Sequence, residues 1–458
     1  LLSKVPGSRL EAAFPAMERI MEQGKYPPAS LAWLVWGLGA AFYFTSFYHR
    51  VAPAVMTDPL MAEFGIGARE LGQFSAFYFY SYVFMQIPTG ILADHWGPRK
   101  LLTAGSLVAA LGTFLFASAS SIAAADLGRL LIGAAAGVVF VALLRLSTRW
   151  FPLRFYATVS GIVLFVGVAG ATFAGIPLHF FVQGFGWRPV MVVVAGLHLV
   201  IGAGIWWIVR DDPAQRGYRS YAPTDPDAVS SPKALLDGLI RVLRYRNTWL
   251  LSLLTGGLAG PILAFAGLWG VPFLATHYGL STAASAAITS AMLICYAVGG
   301  VLLGSLSDRI GLRKPFLVFG SAISLLCWIP VLFVPNLPLW LLTALVIMIG
   351  LAGGAVIVSF ACVRESVPPA LAGTVSGVCN VGSMGGGMIL QPMIGWMLDL
   401  QWRGTFAGGV RIYDLTAYRS GFVMIAIFAA LAILAALFTA ETRCRQTADT
   451  GKIANTPQ

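Results

Sequence analysis

Charge is what this chain has least of. Only 11% of its 458 residues are Asp, Glu, Lys or Arg, while 58% are hydrophobic; a soluble domain carries about a quarter charged residues. That balance excludes a water-soluble globular protein and requires a polytopic membrane protein. Carboxylates are scarcer still within the apolar runs, since Asp94, Asp126, Asp308, Glu365 and Asp399 all fall at run ends or between runs. A cavity in such a protein has no buried acid to hold a cation. A group that takes up a proton inside the membrane then has to be a histidine or a bound molecule itself. Cysteines number five (Cys295, Cys327, Cys362, Cys379, Cys444) with no C-x-x-C spacing, so neither a disulfide framework, a metal site nor a cofactor is expected. Residues 1–30 lack the long apolar core of a signal peptide and carry Glu11, Glu18, Arg19, Glu22 and Lys25; they read as a polar leader.

What the chain does have is length in apolar runs. A spanning helix needs about twenty mostly apolar residues, and twelve runs qualify: 31–57, 72–94, 101–120, 126–149, 156–181, 188–209, 248–276, 282–307, 315–334, 338–362, 371–397 and 420–440. The expected fold is therefore an all-α membrane protein. Of the 30 Lys and Arg, 22 fall in the segments that share a side with the two termini, five fall on the other side, and Arg50, Arg129 and Arg145 lie within runs. Positive segments stay inside, so both termini are expected in the cytoplasm and the protein in the inner (plasma) membrane. The net charge of +11 then faces anionic lipid headgroups, and no nucleic acid is needed to explain it. The long polar stretch with Pro213, Pro226 and Pro232 divides the chain into a leader (1–30), a first bundle (31–210), a linker (211–246), a second bundle (247–441) and a tail (442–458).

The two bundles are copies. Gly90-Ile-Leu-Ala-Asp94-His-Trp-Gly97-Pro-Arg99-Lys100 returns 214 residues later as Gly304-Ser-Leu-Ser-Asp308-Arg309-Ile-Gly311-Leu-Arg313-Lys314. Pro152 with Ala157-Thr-Val-Ser-Gly161 likewise returns as Pro368 with Gly373-Thr-Val-Ser-Gly377. Each eleven-residue copy is a short charged loop between two apolar helices. The pair resembles the signature loop of the major facilitator superfamily of secondary transporters. That resemblance implies two pseudo-symmetric six-helix bundles, solute held between them near the midplane, and alternating access by rocking. It also implies that Asp94 and Asp308, with their arginines, lock the cytoplasmic side.

Buried ionisable and polar residues are the candidates for function. In the first run Arg50, Ser46 and Tyr43 share one helical face, with His49 turned about 100° away; a guanidinium there can hold a carboxylate or phosphate, or else reach the outer headgroups. Tyr78, Tyr82 and Gln86 form an aromatic and polar face in the second run. Ser376, Asn380, Ser383, Gly387 and Gln391 form a polar stripe in the eleventh. Either stripe could instead be glue between helices. Arg145 could line the inner cavity or reach the headgroups. The histidines to test first for a coupling proton are His49 and His198.

Arg50 with the Val-Ala-Pro that follows it resembles the organophosphate antiporter and anion-cation symporter branches of the superfamily. The stretch His49–Lys100 is also similar to the proteobacterial phagosomal-type amino-acid transporters. In the antiporter branch a second arginine six residues before a Trp-x-Pro-like element completes a phosphate clamp; here the element stands as Trp269-Gly-Val-Pro272, but the matching position is Leu263. Arg129, before Ile132-Gly133 and Gly137, is similar to a superfamily signature linked to coupling. The expectation is a monomeric secondary transporter of a small organic acid or amino acid, with a proton as the candidate co-transported ion. The alternatives are an organophosphate-type exchanger and a transporter-like solute sensor. A membrane enzyme is disfavoured, because the five histidines have no acidic partner in sequence and acid-base catalysis needs one.

Overall fold

The computed structural model describes residues 25–222 and 232–447, with the side chains of Ile87, Ile91, Asp94, Leu153, Ala157 and residues 232–235 outside the description. Most of the leader and most of the tail thus lie outside the described residues, and so does the centre of the linker.

The first half comprises α1 (Ala29–Val51) with a 3-10 turn at Ala52–Val55, α2 (Thr57–Phe64), α3 (Ala68–Ser118), α4 (Ile122–Trp150), α5 (Tyr156–Phe173), α6 (Ile176–Phe185) and α7 (Trp187–Ile208). In the linker lies α8 (Pro232–Val242). The second half begins with α9 (Arg246–Ala264), which runs through a π turn at Phe265–Trp269 into α10 (Gly270–Tyr278). It continues with α11 (Thr282–Ile310), α12 (Lys314–Phe333), α13 (Leu339–Gly353), α14 (Ala355–Glu365), α15 (Ala372–Leu400), the hairpin β1 (Phe406–Ala407) and β2 (Val410–Arg411), and α16 (Leu415–Phe438). Ser121, Ser281 and Asp414 start their helices by accepting a backbone N–H with the side chain, which satisfies a donor that the helix itself leaves free.

Ten helices among the described residues are long and apolar enough to cross a membrane. The runs 72–94 and 371–397 are helical as expected, in the first limb of α3 and in α15, but fall outside that set. The reason is compositional: both carry the polar stripes, and both pack at the seam between the halves, where a helix need not be apolar all round.

The runs 72–94 and 101–120 join in one helix that bends at Gly97 (φ 77°, ψ 161°). A Cβ at Gly97 would sit 2.7 Å from the Asp211 carboxylate, and that φ belongs to glycine. In the second copy Gly311 takes the left-handed C-cap of α11 (φ 76°). The two repeat turns lie at the same end of the molecule, here the turn end; the opposite end is the far end.

The core is arranged unevenly along this axis. Toward the turn end each half has its own core, built around Trp36, Leu102, Leu143 and Trp150 in the first and around Leu254, Leu317, Cys362 and Val375 in the second. At the far end a single core runs through both halves, joining Val51, Phe74 and Met191 to Phe265, Trp269, Trp328 and Phe422. Between these levels a small cluster crosses the seam, with Tyr78, Phe79 and Tyr82 against Leu263 and Met384. Glycines set the closest approaches: a Cβ at Gly72 would lie 2.6 Å from the carbonyl oxygen of Gln391, and one at Gly395 2.2 Å from that of Ala68.

Candidate substrate-binding site

Arg50 occupies the last turn of α1 and is 5% exposed. Its guanidinium carbon stands 4.0 Å from the Phe47 ring centre, 5.3 Å from Tyr82 and 5.7 Å from Tyr78. Its Nε is buried with no hydrogen-bond partner. Among the described residues no carboxylate lies within ion-pair distance of it. Aromatic faces favour a cation by about 0.5–2 kcal/mol, far less than the cost of burying one without a counter-charge. The site is therefore incomplete as a charge system, and an anion would complete it.

The second half reaches the same place. Gly267 of the π turn lies against the Arg50 carbonyl, and Leu263 and Met384 pack on the Tyr78–Tyr82 cluster. Tyr296 of α11 is within electrostatic reach of Arg50. The clamp position thus holds a leucine, and one guanidinium faces the seam here.

The remaining predicted residues divide sharply. Tyr43 is buried against Phe47 and Phe140 beside Arg50. Ser46 turns its hydroxyl back to the Phe42 carbonyl, while its own carbonyl accepts from Tyr78 Oη at 3.0 Å, so Ser46 positions Tyr78. Asn380 crosses the seam, donating to Gln86 Oε1 at 3.1 Å and to Tyr82 Oη at 3.5 Å. Ser376 donates to the Ala372 carbonyl of its own helix. Gln391 and Trp269 are interhelical ties: Gln391 Nε2 donates to the Leu263 carbonyl and Trp269 Nε1 to the Gln391 carbonyl, both at 3.0 Å.

Arg145 requires a correction. It donates to the Ala93 carbonyl near the first repeat turn at 2.7 Å. Arg129, on the same helix, donates to the His49 carbonyl at 2.7 Å. Sixteen residues of helix separate the two arginines by about 24 Å, so Arg145 is not part of the Arg50 site. Arg129 itself is 1% exposed and held by the carbonyls of His49 and Ser75, which makes it a tie between α4, α1 and α3.

His49 and His198 come together. Their Nε2 atoms are 3.2 Å apart, with the rings nearly parallel (13°) and their centres 5.3 Å apart, so that they meet edge to edge. Thr113 Oγ1 of α3 lies 3.2 Å from His49 Nε2 and donates its own hydrogen to the Ala109 carbonyl at 2.7 Å. Both rings are buried.

At the turn end Asp308 pairs with Arg313 at 2.6 Å and not with its chain neighbour Arg309, which is exposed. Arg313 also holds Glu365 at 2.6 Å. Arg99, the counterpart of Arg313, instead donates its guanidinium to the Trp206 carbonyl at 2.6 and 2.9 Å and lies over the Trp206 ring. The Asp94 side chain lies outside the described residues. Gly90 and Gly304 meet little at their Cβ positions, and Lys100 is exposed.

A parallel that the sequence reading missed is the pair of acids just beyond α7 and α16. Asp211 accepts the Arg99 N–H at 2.6 Å, and Glu441 accepts the N–H groups of Arg313 and Lys314 at 2.8–3.1 Å. Each acid caps the helix that follows a repeat turn, where the dipole favours an anion.

The far end has its own tie between the halves. Asp399, at the end of α15, accepts the backbone N–H groups of Ala68 (3.3 Å) and Arg69 (2.8 Å), the Tyr413 hydroxyl (2.6 Å) and Arg411 Nη1 (3.2 Å). The N-terminus of α3 is thus capped from the other half. Beside it a crevice of about 620 Å³ opens between Arg69, Glu70, Asp126 and Trp396; Arg50 is not among its walls.

An all-helical bundle with a cation buried at the seam of two copies is the construction of a membrane transporter. The chain matches the Major Facilitator Superfamily model over residues 35–271 and 262–454, and it belongs to that family. It is similar to the probable sulfoacetate transporter SauU of Cupriavidus necator, 25% identical over 390 residues, covering 80% of this chain and 87% of the relative. It is also similar to the cis,cis-muconate transport protein of Acinetobacter baylyi, 23% identical over 72% of this chain and 78% of the relative. Among solved structures it resembles a bacterial homologue of the human lysosomal transporter Spinster in an inward-facing, unoccupied conformation, with a TM-score of 0.71 at 18% identity over 90% of this chain and 97% of that one. The protein is a multi-pass membrane transporter and not an enzyme.

Proposed function

We propose that the protein is a secondary transporter of a small organic anion, taken at Arg50 between the halves and moved by alternating access. The observation that carries this reading is the buried Arg50 guanidinium, enclosed by Phe47, Tyr78 and Tyr82 with no carboxylate partner among the described residues. Relatives named for sulfoacetate and cis,cis-muconate, both small acids, support it. A single guanidinium with Leu263 in the clamp position favours a carboxylate or sulfonate over a phosphate ester, and the tyrosine hydroxyls supply neutral donors. In this reading twelve helices span the inner membrane, the two termini and the repeat turns face the cytoplasm, and the separate cores at the turn end mark a cavity opened inward.

Solute counterflow in proteoliposomes tests it, with sulfoacetate, cis,cis-muconate and nitrate as probes and glucose 6-phosphate as the phosphate ester. Exchange of a small acid that vanishes in Arg50→Ala, and falls at least tenfold in Arg50→Lys because the two-pronged contact is lost, supports the reading. Unchanged exchange in Arg50→Ala removes Arg50 from the site. Exchange of the phosphate ester alone would favour the organophosphate alternative.

A further inference from the structure

From the geometry we infer that His49 and His198 form one proton-binding unit, and that this unit couples a proton to the anion. The inference rests on the proposed anion site for its direction, but the proton site stands on its own contacts.

The hydrogens can be placed from the partners. Thr113 gives its hydrogen to the Ala109 carbonyl, so its oxygen faces His49 Nε2 as an acceptor, and His49 carries its hydrogen on Nε2. That hydrogen also points at His198 Nε2, 3.2 Å away, which must then be the bare nitrogen. The hydrogen of neutral His198 therefore sits on Nδ1, an atom buried with no partner. Buried polar atoms are rarely left so, and the arrangement leaves a basic nitrogen and an orphan donor on one ring. When a proton arrives at His49 Nδ1, the hydrogen on His49 Nε2 passes to His198 Nε2 across the 3.2 Å contact, so that His198 becomes the imidazolium and His49 is left neutral with its hydrogen on Nδ1. In both states one hydrogen lies between the two Nε2 atoms. The pair can therefore take one proton and not two, since two facing N–H groups would repel.

The groups around the pair explain why a proton there would matter to an anion. From α1, the Tyr48 ring stands edge-on to His49, and Arg50 is its chain neighbour. From α3 comes Thr113, and from α4 comes Arg129, whose guanidinium holds the His49 carbonyl. From α7, His198 faces the pair with the Phe42 ring against its edge. No described carboxylate is within ion-pair distance of either ring. Protonation would add a third positive charge beside Arg129, which has Asp126 one turn back on α4 as an electrostatic partner, and beside Arg50, which has no carboxylate partner among the described residues. An anion on Arg50 relieves that charge, so each ligand raises the affinity for the other. The outcome is proton–anion symport, with protons drawn from the side to which the site is open.

Two measurements decide it. Two-bond 15N–1H spectra of the full chain in nanodiscs, with labelled histidine, should show Nε2–H for His49 and Nδ1–H for His198 at high pH. Lowering the pH should move both rings in one joint step, and this step should disappear in His49→Gln and in His198→Gln. Rings that stay neutral down to the lowest pH at which the protein keeps its fold, or that titrate independently of each other's replacement, overturn the pair. In proteoliposomes clamped at zero membrane potential, an inward gradient of one pH unit should drive about tenfold accumulation of a solute carried with one proton. His198→Gln should lose this accumulation while counterflow of the same solute persists. Accumulation that survives in His198→Gln overturns the coupling. Absence of counterflow in the unaltered protein would count against the anion reading instead, with the spectra still deciding the proton site.

Discussion

At the scale of single residues, position along a helix was legible and partnership was not. Arg50, His49 and His198 could be picked out because an ionisable group in an apolar run is costly. Their neighbours came from other elements: Phe47 shares α1, but Tyr296 and Leu263 come from the other half, and no spacing announces them. Asp211 and Glu441 show the same limit. Both follow the last apolar residue of a half, yet only the fold shows that they cap the helices beginning near Arg99 and Lys314. Burial alone would raise the Glu441 carboxyl, but the backbone N–H groups of Arg443, Arg313 and Lys314 outweigh it and hold the group below its usual value. A depressed acid stabilises the fold above its unfolded value of about 4.3, and that contribution is lost as the pH falls through the folded value. Glu441→Gln should accordingly lower the melting temperature of the detergent-solubilised protein by a few degrees at pH 7. The difference should narrow as the pH falls below about 4.3; a gap that is constant with pH would mean that charge is not what Glu441 contributes.

At the scale of elements, apolar period and length were enough to place the helices, because the bilayer sets their length. The breaks within them were less visible. Gly97 could be read as a turn, but the π turn at Phe265–Trp269 and the hairpin around Gly408 and Gly409 had no signal beyond scattered glycines. The small-residue pattern of α4 had been read as a family signature; the structure supplies its physical reason. A Cβ at Gly133 would lie 2.1 Å from the Tyr78 carbonyl oxygen and 2.3 Å from Ser81 Oγ, so the backbones of α3 and α4 meet at this residue. Gly133→Ala must separate them, at a cost of about 1–3 kcal/mol typical of overpacking. Because Tyr78 lines the Arg50 site, the variant should lose thermal stability and counterflow together. Gly161→Ala, where nothing lies within 4 Å of the added methyl, should change neither, and equal losses in both would point to a general effect of alanine in these helices.

At the scale of the whole molecule, the repeat was the most legible feature, since two eleven-residue copies in register require two like halves. The conformational state was not legible at all, because it is a property of the seam. The seam shows one continuous core at the far end and two separate cores at the turn end. Every side-chain hydrogen bond between the halves among the described residues is either at Asp399 and Tyr413 or at Asn380. In the proposed alternating access the far end has to part, and the first donors to lose their acceptor are then the Ala68 and Arg69 N–H groups at the start of α3. Asp399→Asn keeps the shape but removes the charge that favours this helix end, worth about 0.3–2 kcal/mol. The closed far end should therefore be depopulated by up to about thirtyfold, since 1.4 kcal/mol is tenfold in an equilibrium. A cysteine placed at Gln73, on the crevice wall beside the seam, reports the change through its labelling rate by a membrane-impermeant maleimide. Faster labelling in Asp399→Asn, slowed again by an anion that favours the closed state, is the expected result. An unchanged rate would mean that the continuous apolar core holds the far end shut and that the Asp399 cap follows its closure without setting it.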